Sequence, residues 1–143
     1  MSTADALERA RALARRGDDE GAKLAYVEVL RADPTNFHAL NELGTLALAG
    51  GYRSAARTAY SQAVQHHPEN PVGRVNFANV LREDGDLPAA RHHYEAALAA
   101  DPDLPEAHQG MASVLNELGL DGGEEHRRRG FSARPLVTPR PAR

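Results

Sequence analysis

The stretch Phe37–Pro68 reads FHALNELGTLALAGGYRSAARTAYSQAVQHHP. Phe37, Leu40, Leu43, Leu46 and Ala47 recur at helical spacing and form one apolar face. Gly50-Gly51 interrupts that face where the chain must turn. A second stripe follows at the same period: Ala55, Ala56, Ala59, Tyr60, Ala63 and Val64. His67-Pro68 closes it, because a proline disfavours helical geometry in the residue before it. The stretch therefore predicts two helices joined by a tight turn.

The same pattern returns along the chain at an interval of 34 residues. Gly17, Gly51, Gly85 and Gly119 fall on it, as do Tyr26, Tyr60 and Tyr94, Pro34, Pro68 and Pro102, and Ala22, Ala56 and Ala90. The preceding period carries Ala6, Ala10 and Leu13, then Ala25, Val29 and Leu30. The following one carries Val75, Phe77, Ala78 and Leu81, then Ala89, Ala97 and Leu98, and opens on Asn70-Pro71, a cap residue before a proline suited to the first helical turn. One such helix alone would be an ordinary amphipathic helix. A fixed register across three pairs instead signals stacked helical repeats.

The fourth period is half kept. Ala107, Met111, Ala112, Leu115 and Leu118 continue the first-helix pattern and Gly119 holds the turn. Glu124, Arg128 and Leu136 stand where alanine, tyrosine and proline are expected. The reading is a helix over 105–118 and a short polar capping helix over about 122–130, since terminal repeats are atypical. Beyond it, 131–143 is rich in proline and arginine and is expected to be an extended tail or linker.

These residues resemble the tetratricopeptide repeat family. The second period is the best match, with Leu40, Leu43-Gly44, Gly51-Tyr52, Ala56, Tyr60, Ala63 and Pro68 on the family's packing positions. Leu40 stands where tryptophan is most frequent and Ala47 replaces a usual tyrosine; Arg74 takes the tryptophan place in the third period. The resemblance implies an all-α, right-handed superhelix of antiparallel helix pairs: three full units at about 3–36, 37–70 and 71–104, and a degenerate capping unit at 105–130. Gly44, Ala78 and Ala112 then let each first helix approach its partner, and Tyr26, Tyr60 and Tyr94 fill the gap between successive units.

In this family the first helix of each pair lines a concave groove that holds a partner's peptide or helix. The resemblance therefore points to the residues away from the packing face: Arg11; His38, Asn41, Glu42 and Thr45; Asn76, Asn79, Arg82 and Glu83; Gln109, Ser113, Asn116 and Glu117. The amides matter most, because an amide offers both donor and acceptor to a peptide backbone. Asn41, Thr45, Asn76, Asn79, Arg82, Gln109, Ser113 and Asn116 form the expected partner-binding set. Some members clamp a chaperone's terminal carboxylate with lysines, arginine and asparagines. Only Asn76 fits that pattern; Asn41, Thr45, Glu106 and Gly110 occupy the other places, and starting one unit earlier puts Leu7 at a required lysine.

Composition bounds the alternatives. There is no cysteine, so thiolate chemistry and disulfides are excluded. No phosphate-cradling glycine loop, nucleophile elbow or paired-carboxylate signature is present, so no enzyme activity and no cofactor are expected. The seven histidines include the adjacent pairs His66-His67 and His92-His93, whose side chains diverge by about 100° on a helix and chelate one metal poorly. No apolar stretch approaches the roughly 18 residues of a membrane span, and the first residues lack a secretion signal. A cytoplasmic protein is expected, and sixteen arginines against one lysine point to a GC-rich bacterial genome.

Net charge is −3, but residues 1–126 carry 20 acidic and 11 basic side chains, whereas 127–143 carry six arginines and no acid. For that tail a solvated linker ranks first, docking on the body second and nucleic acid last, since only Phe131 could offer a stacking platform. The leading function is a protein–protein interaction scaffold, with an unidentified protein or peptide partner favoured to be basic or neutral. Two other readings stand beside it: the N-terminal targeting module of a larger bacterial enzyme such as a transferase, and an adaptor that assembles with copies of itself.

Overall fold

The computed structural model describes residues 2–132. Those residues form eight α-helices and no strand, in two compact units that divide between Pro68 and Glu69. The first unit holds α1 (Thr3–Arg15), α2 (Asp19–Ala32), α3 (Phe37–Ala49) and α4 (Arg53–His66). The second holds α5 (Pro71–Glu83), α6 (Leu87–Ala100), α7 (Pro105–Leu118) and α8 (Gly123–Ser132). The helix over α8 continues two residues into the segment expected to be extended; the rest of that tail lies outside the described residues.

Helix starts are set by side chains that satisfy the orphan amides of the first turn. Ser2 and Asp5 make a reciprocal capping box on α1, and Asp18, Asn36, Asn70 and Asp86 cap α2, α3, α5 and α6. Pro71 follows Asn70 at the start of α5, where its missing N–H is harmless. Helices α4 and α7 are different. Tyr52 and Leu104 stand at their cap positions and make no side-chain cap bond.

The glycines at the 34-residue interval end the first helix of each pair. Gly17, Gly51, Gly85 and Gly119 all take left-handed backbone, φ between +70° and +87°, which a β-carbon would strain. In each turn the following amide returns to the carbonyl five residues back: Asp18 to Leu13, Tyr52 to Ala47, Asp86 to Leu81 and Leu120 to Leu115, at 2.8 to 3.0 Å. This is the Schellman arrangement, which brings those two side chains to the same spot on the surface.

Both cores are built from small residues and one large ring per pair. In the first unit Leu7, Ala10, Ala22, Ala25, Tyr26, Val29 and Ala39 pack together. In the second, Val75, Leu81, Tyr94, Met111, Val114 and Leu115 surround Ala78, Ala90, Ala97 and Ala107. Close approach depends on glycine. A β-carbon at Gly44 would sit 2.8 Å from the Tyr60 ring, and one at Gly110 would sit 2.2 Å from the Tyr94 ring.

One buried polar side chain interrupts the second core. His108, on α7, is 3 % exposed and both ring nitrogens are engaged. Nε2 lies 2.6 Å from the Pro102 carbonyl, and Nδ1 lies 2.9 Å from Nδ1 of His126 on α8. A carbonyl only accepts, so in the neutral ring Nε2 carries the proton, Nδ1 accepts, and His126 donates. Burial, with the neighbouring His108 and Arg129, holds His126 below its ordinary pKa. The pair fastens α8 to α7.

Candidate partner-binding surface

The polar faces of α1, α3, α5 and α7 carry the expected binding residues. One register runs through Arg11, Thr45, Asn79 and Ser113. At two of these positions the side chain bonds a core tyrosine. Thr45 Oγ1 lies 2.8 Å from the Tyr60 hydroxyl and also donates to the Asn41 carbonyl at 3.1 Å. Tyr94 donates its hydroxyl to Asn79 Oδ1. Burial raises the Tyr60 hydroxyl pKa and pushes that of Tyr94 up to about 12, so both remain protonated donors.

In the first pair the tyrosine reaches forward instead. Tyr26 donates to Glu42 on α3 at 3.1 Å, and Arg11 grips the same carboxylate with two bonds, at 2.8 and 2.6 Å. His38 stands 3.9 Å away on the next turn. Burial alone would raise the Glu42 pKa; the bonds from Arg11 and Tyr26, with the charges of Arg11 and His38, outweigh it and hold the carboxyl below its ordinary value. Burial and that carboxylate push Tyr26 up to about 12. Arg11 and Glu42 thus brace α1 against α3.

The remaining residues divide by exposure. Asn41, Asn76, Arg82, Gln109 and Ser113 are half-buried, and Asn116 is exposed. Helix α8 lies over part of the fourth set: a β-carbon at Gly130 would be 3.0 Å from Cγ of Gln109, and one at Gly123 would be 2.6 Å from Oδ1 of Asn116. Gln109 is thus half-buried beside α8, whose packing face the sequence does not place, whereas Asn116 stays exposed. Sequence reasoning missed the tyrosine bonds to Thr45 and Asn79. Their only sequence signal is that each threonine or asparagine stands 15 residues before its tyrosine.

Charge is distributed unevenly along the chain. Residues 1–68 carry eight acidic and eight basic side chains, whereas 69–126 carry twelve acidic and three basic. Among the described residues no group of three or more side chains is arranged to hold a metal, and no helix is long and apolar enough to cross a membrane.

Two family models match the chain. The Tetratricopeptide repeat model covers residues 7–71, and the TPR repeat model covers residues 78–119. Curated protein sequences yield no match. Among solved structures, a MamA protein superposes with a TM-score of 0.82 at 22% identity, over 93% of this chain and 73% of that one. The first TPR of Spaghetti (RPAP3), bound to an HSP90 peptide, superposes at 0.76 with 17% identity, over 82% and 93%. The O-GlcNAc transferase of Thermobaculum terrenum matches at 0.70 with 30% identity, over 79% of this chain but 22% of its own. Eight helices in glycine-turned pairs, two repeat models and these superpositions agree: the chain belongs to the tetratricopeptide repeat family.

Proposed function

We propose that this protein is a non-catalytic interaction scaffold, and that the polar faces of its first helices bind an extended or helical segment of a partner protein. The observation that carries the reading is the pinning of Thr45 and Asn79 by core tyrosines. It fixes one polar side chain on α3 and one on α5, helices that also carry the half-buried Asn41 and Asn76. Side chains held by packing lose less entropy on binding. The RPAP3 domain, which shares the fold, was solved with a peptide bound. The carboxylate-clamp pattern is absent here, and the acidic excess of residues 69–126 favours a basic or neutral segment.

The test is affinity capture from the native organism with wild-type protein and with an Asn41→Ala/Asn76→Ala variant, quantified by mass spectrometry. Partners of this surface should drop at least about fivefold on the variant, the loss expected for one or two hydrogen bonds. Partners retained equally by both proteins would count against the reading. A second reading, a targeting module joined to a larger enzyme, is favoured by the transferase match. A native transcript that continues in frame into a catalytic domain would support it.

A further inference from the structure

A cavity of about 310 Å3 opens in the first unit, between α2, α3 and α4. Leu43, Leu46 and Ala47 of α3 line it with Ala55 and Ala59 of α4. At about 100° per residue, this is the side of α3 opposite Asn41 and Thr45. It is therefore separate from the surface proposed above.

The cavity has a traceable origin. Ala47 occupies the register position that Leu13, Leu81 and Leu115 fill in the other three pairs. In the second unit Leu81 and Leu115 are buried core residues. Replacing leucine by alanine removes three carbons from one wall and so widens the space there. Its backbone partner in the turn departs as well. Tyr52 receives the cap position that Asp18 and Asp86 use to bond α2 and α6, and it leaves α4 uncapped. Its ring is 70 % exposed and packs beside Gly50, at the rim of the cavity.

So two departures from the chain's own repeat fall on one turn, joined by the bond from the Tyr52 amide to the Ala47 carbonyl. Each departure is unfavourable for folding: one leaves apolar walls unfilled, the other gives up a helix cap. Together they present an apolar hole beside an exposed aromatic ring, the composition of an interface anchor site. The size sits at the small end of ligand pockets, near 300 Å3, right for one or two side chains. The rim supplies a charge preference. Asp19 and Glu20, exposed on the first turn of α2, border the cavity against a single cation, Lys23.

We propose that the cavity bounded by Ala47 and Tyr52 is a second docking site, taking a leucine-, isoleucine-, methionine- or phenylalanine-sized side chain from a partner segment that carries an arginine or lysine beside it. The apolar side chain fills the place of the missing leucine against the Tyr52 ring. The neighbouring cation meets Asp19 and Glu20.

A randomised 12-residue peptide library displayed on phage, selected on the intact protein, tests this. Enriched peptides should share a large apolar residue next to arginine or lysine. Ala47→Leu, which installs the residue of the other three pairs, should weaken them at least tenfold. Asp19→Asn/Glu20→Gln should weaken them about threefold. Tyr52→Asn, which supplies a cap and removes the ring, gives the same loss by a route that does not fill the cavity, and covers the case that Ala47→Leu folds poorly. No enrichment, an acidic consensus, or peptides indifferent to both Ala47→Leu and Tyr52→Asn would overturn the proposal. So would sedimentation showing a dimer that Ala47→Leu dissociates, since a second copy would then cover the site.

Discussion

Tyr94 lays its ring across the backbone of Gly110, and the α6–α7 contact closes only because that glycine has no side chain. The ring is fully buried and its hydroxyl is tied to Asn79, so it cannot swing aside. Gly110→Ala should therefore destabilise the fold by about 1–3 kcal/mol, the usual range for overpacking, despite the better helix propensity of alanine. Urea unfolding would register it as a lower midpoint. An unchanged midpoint would mean the ring relocates freely.

The bond between Tyr94 and Asn79 gives that asparagine a share in stability that the exposed Asn116 lacks. Asn79→Ala leaves a buried hydroxyl unpaired and should cost roughly 1–2 kcal/mol, whereas Asn116→Ala, at an exposed site, should stay within about 0.5. Adding Tyr94→Phe to Asn79→Ala should recover part of the loss. Additive penalties in that double-mutant cycle would show that the two groups do not interact.

Glu42 links stability to acid. Its carboxyl has a depressed pKa in the fold, so its contribution is present above its ordinary value of 4.5 and is lost as pH falls through the lower folded value. Glu42→Gln should cost about 1 kcal/mol at pH 7, after discounting for the partial exposure of Arg11, and much less near pH 3. Denaturant titrations at both pH values would reveal whether the gap narrows.

His93 acts over a neighbouring window. Burial, aided by Arg74 and His92, pushes its pKa down to about 4, and Arg74 donates to its Nδ1 at 2.9 Å. Below the unfolded value of 6.5 the unfolded chain takes up a proton that the fold resists, so stability declines as pH drops from 6.5 toward 4. Because the ring is only half-buried the loss should be on the order of 1 kcal/mol. His93→Gln should flatten that part of the profile; a variant that tracks the wild type throughout would assign the slope elsewhere.

The 34-residue interval carried the architecture because each of its members has a backbone or packing duty that no distant residue changes. Gly51 must turn left-handed, Ala56 must be small, and Pro68 must stop a helix, and all three act locally. The candidate surface was less legible because hydroxyl partners and packing faces depend on where a side chain points. Thr45 is exposed and still bonds Tyr60; Gln109 is half-buried beside Gly130. His108 and His126 are 18 residues apart and outside the repeat register, so no spacing rule could pair them. Ala47 was visible as a departure, but a missing leucine is only a hole once the walls around it are placed.

The tyrosine hydroxyls find their partners 15 or 16 residues away in sequence. A nascent chain leaving the ribosome thus needs little more than one hairpin outside the exit tunnel before its first long ring can be buried and anchored. Assembly can advance from the amino end in steps of one hairpin, each sheltering its apolar surface before the next emerges.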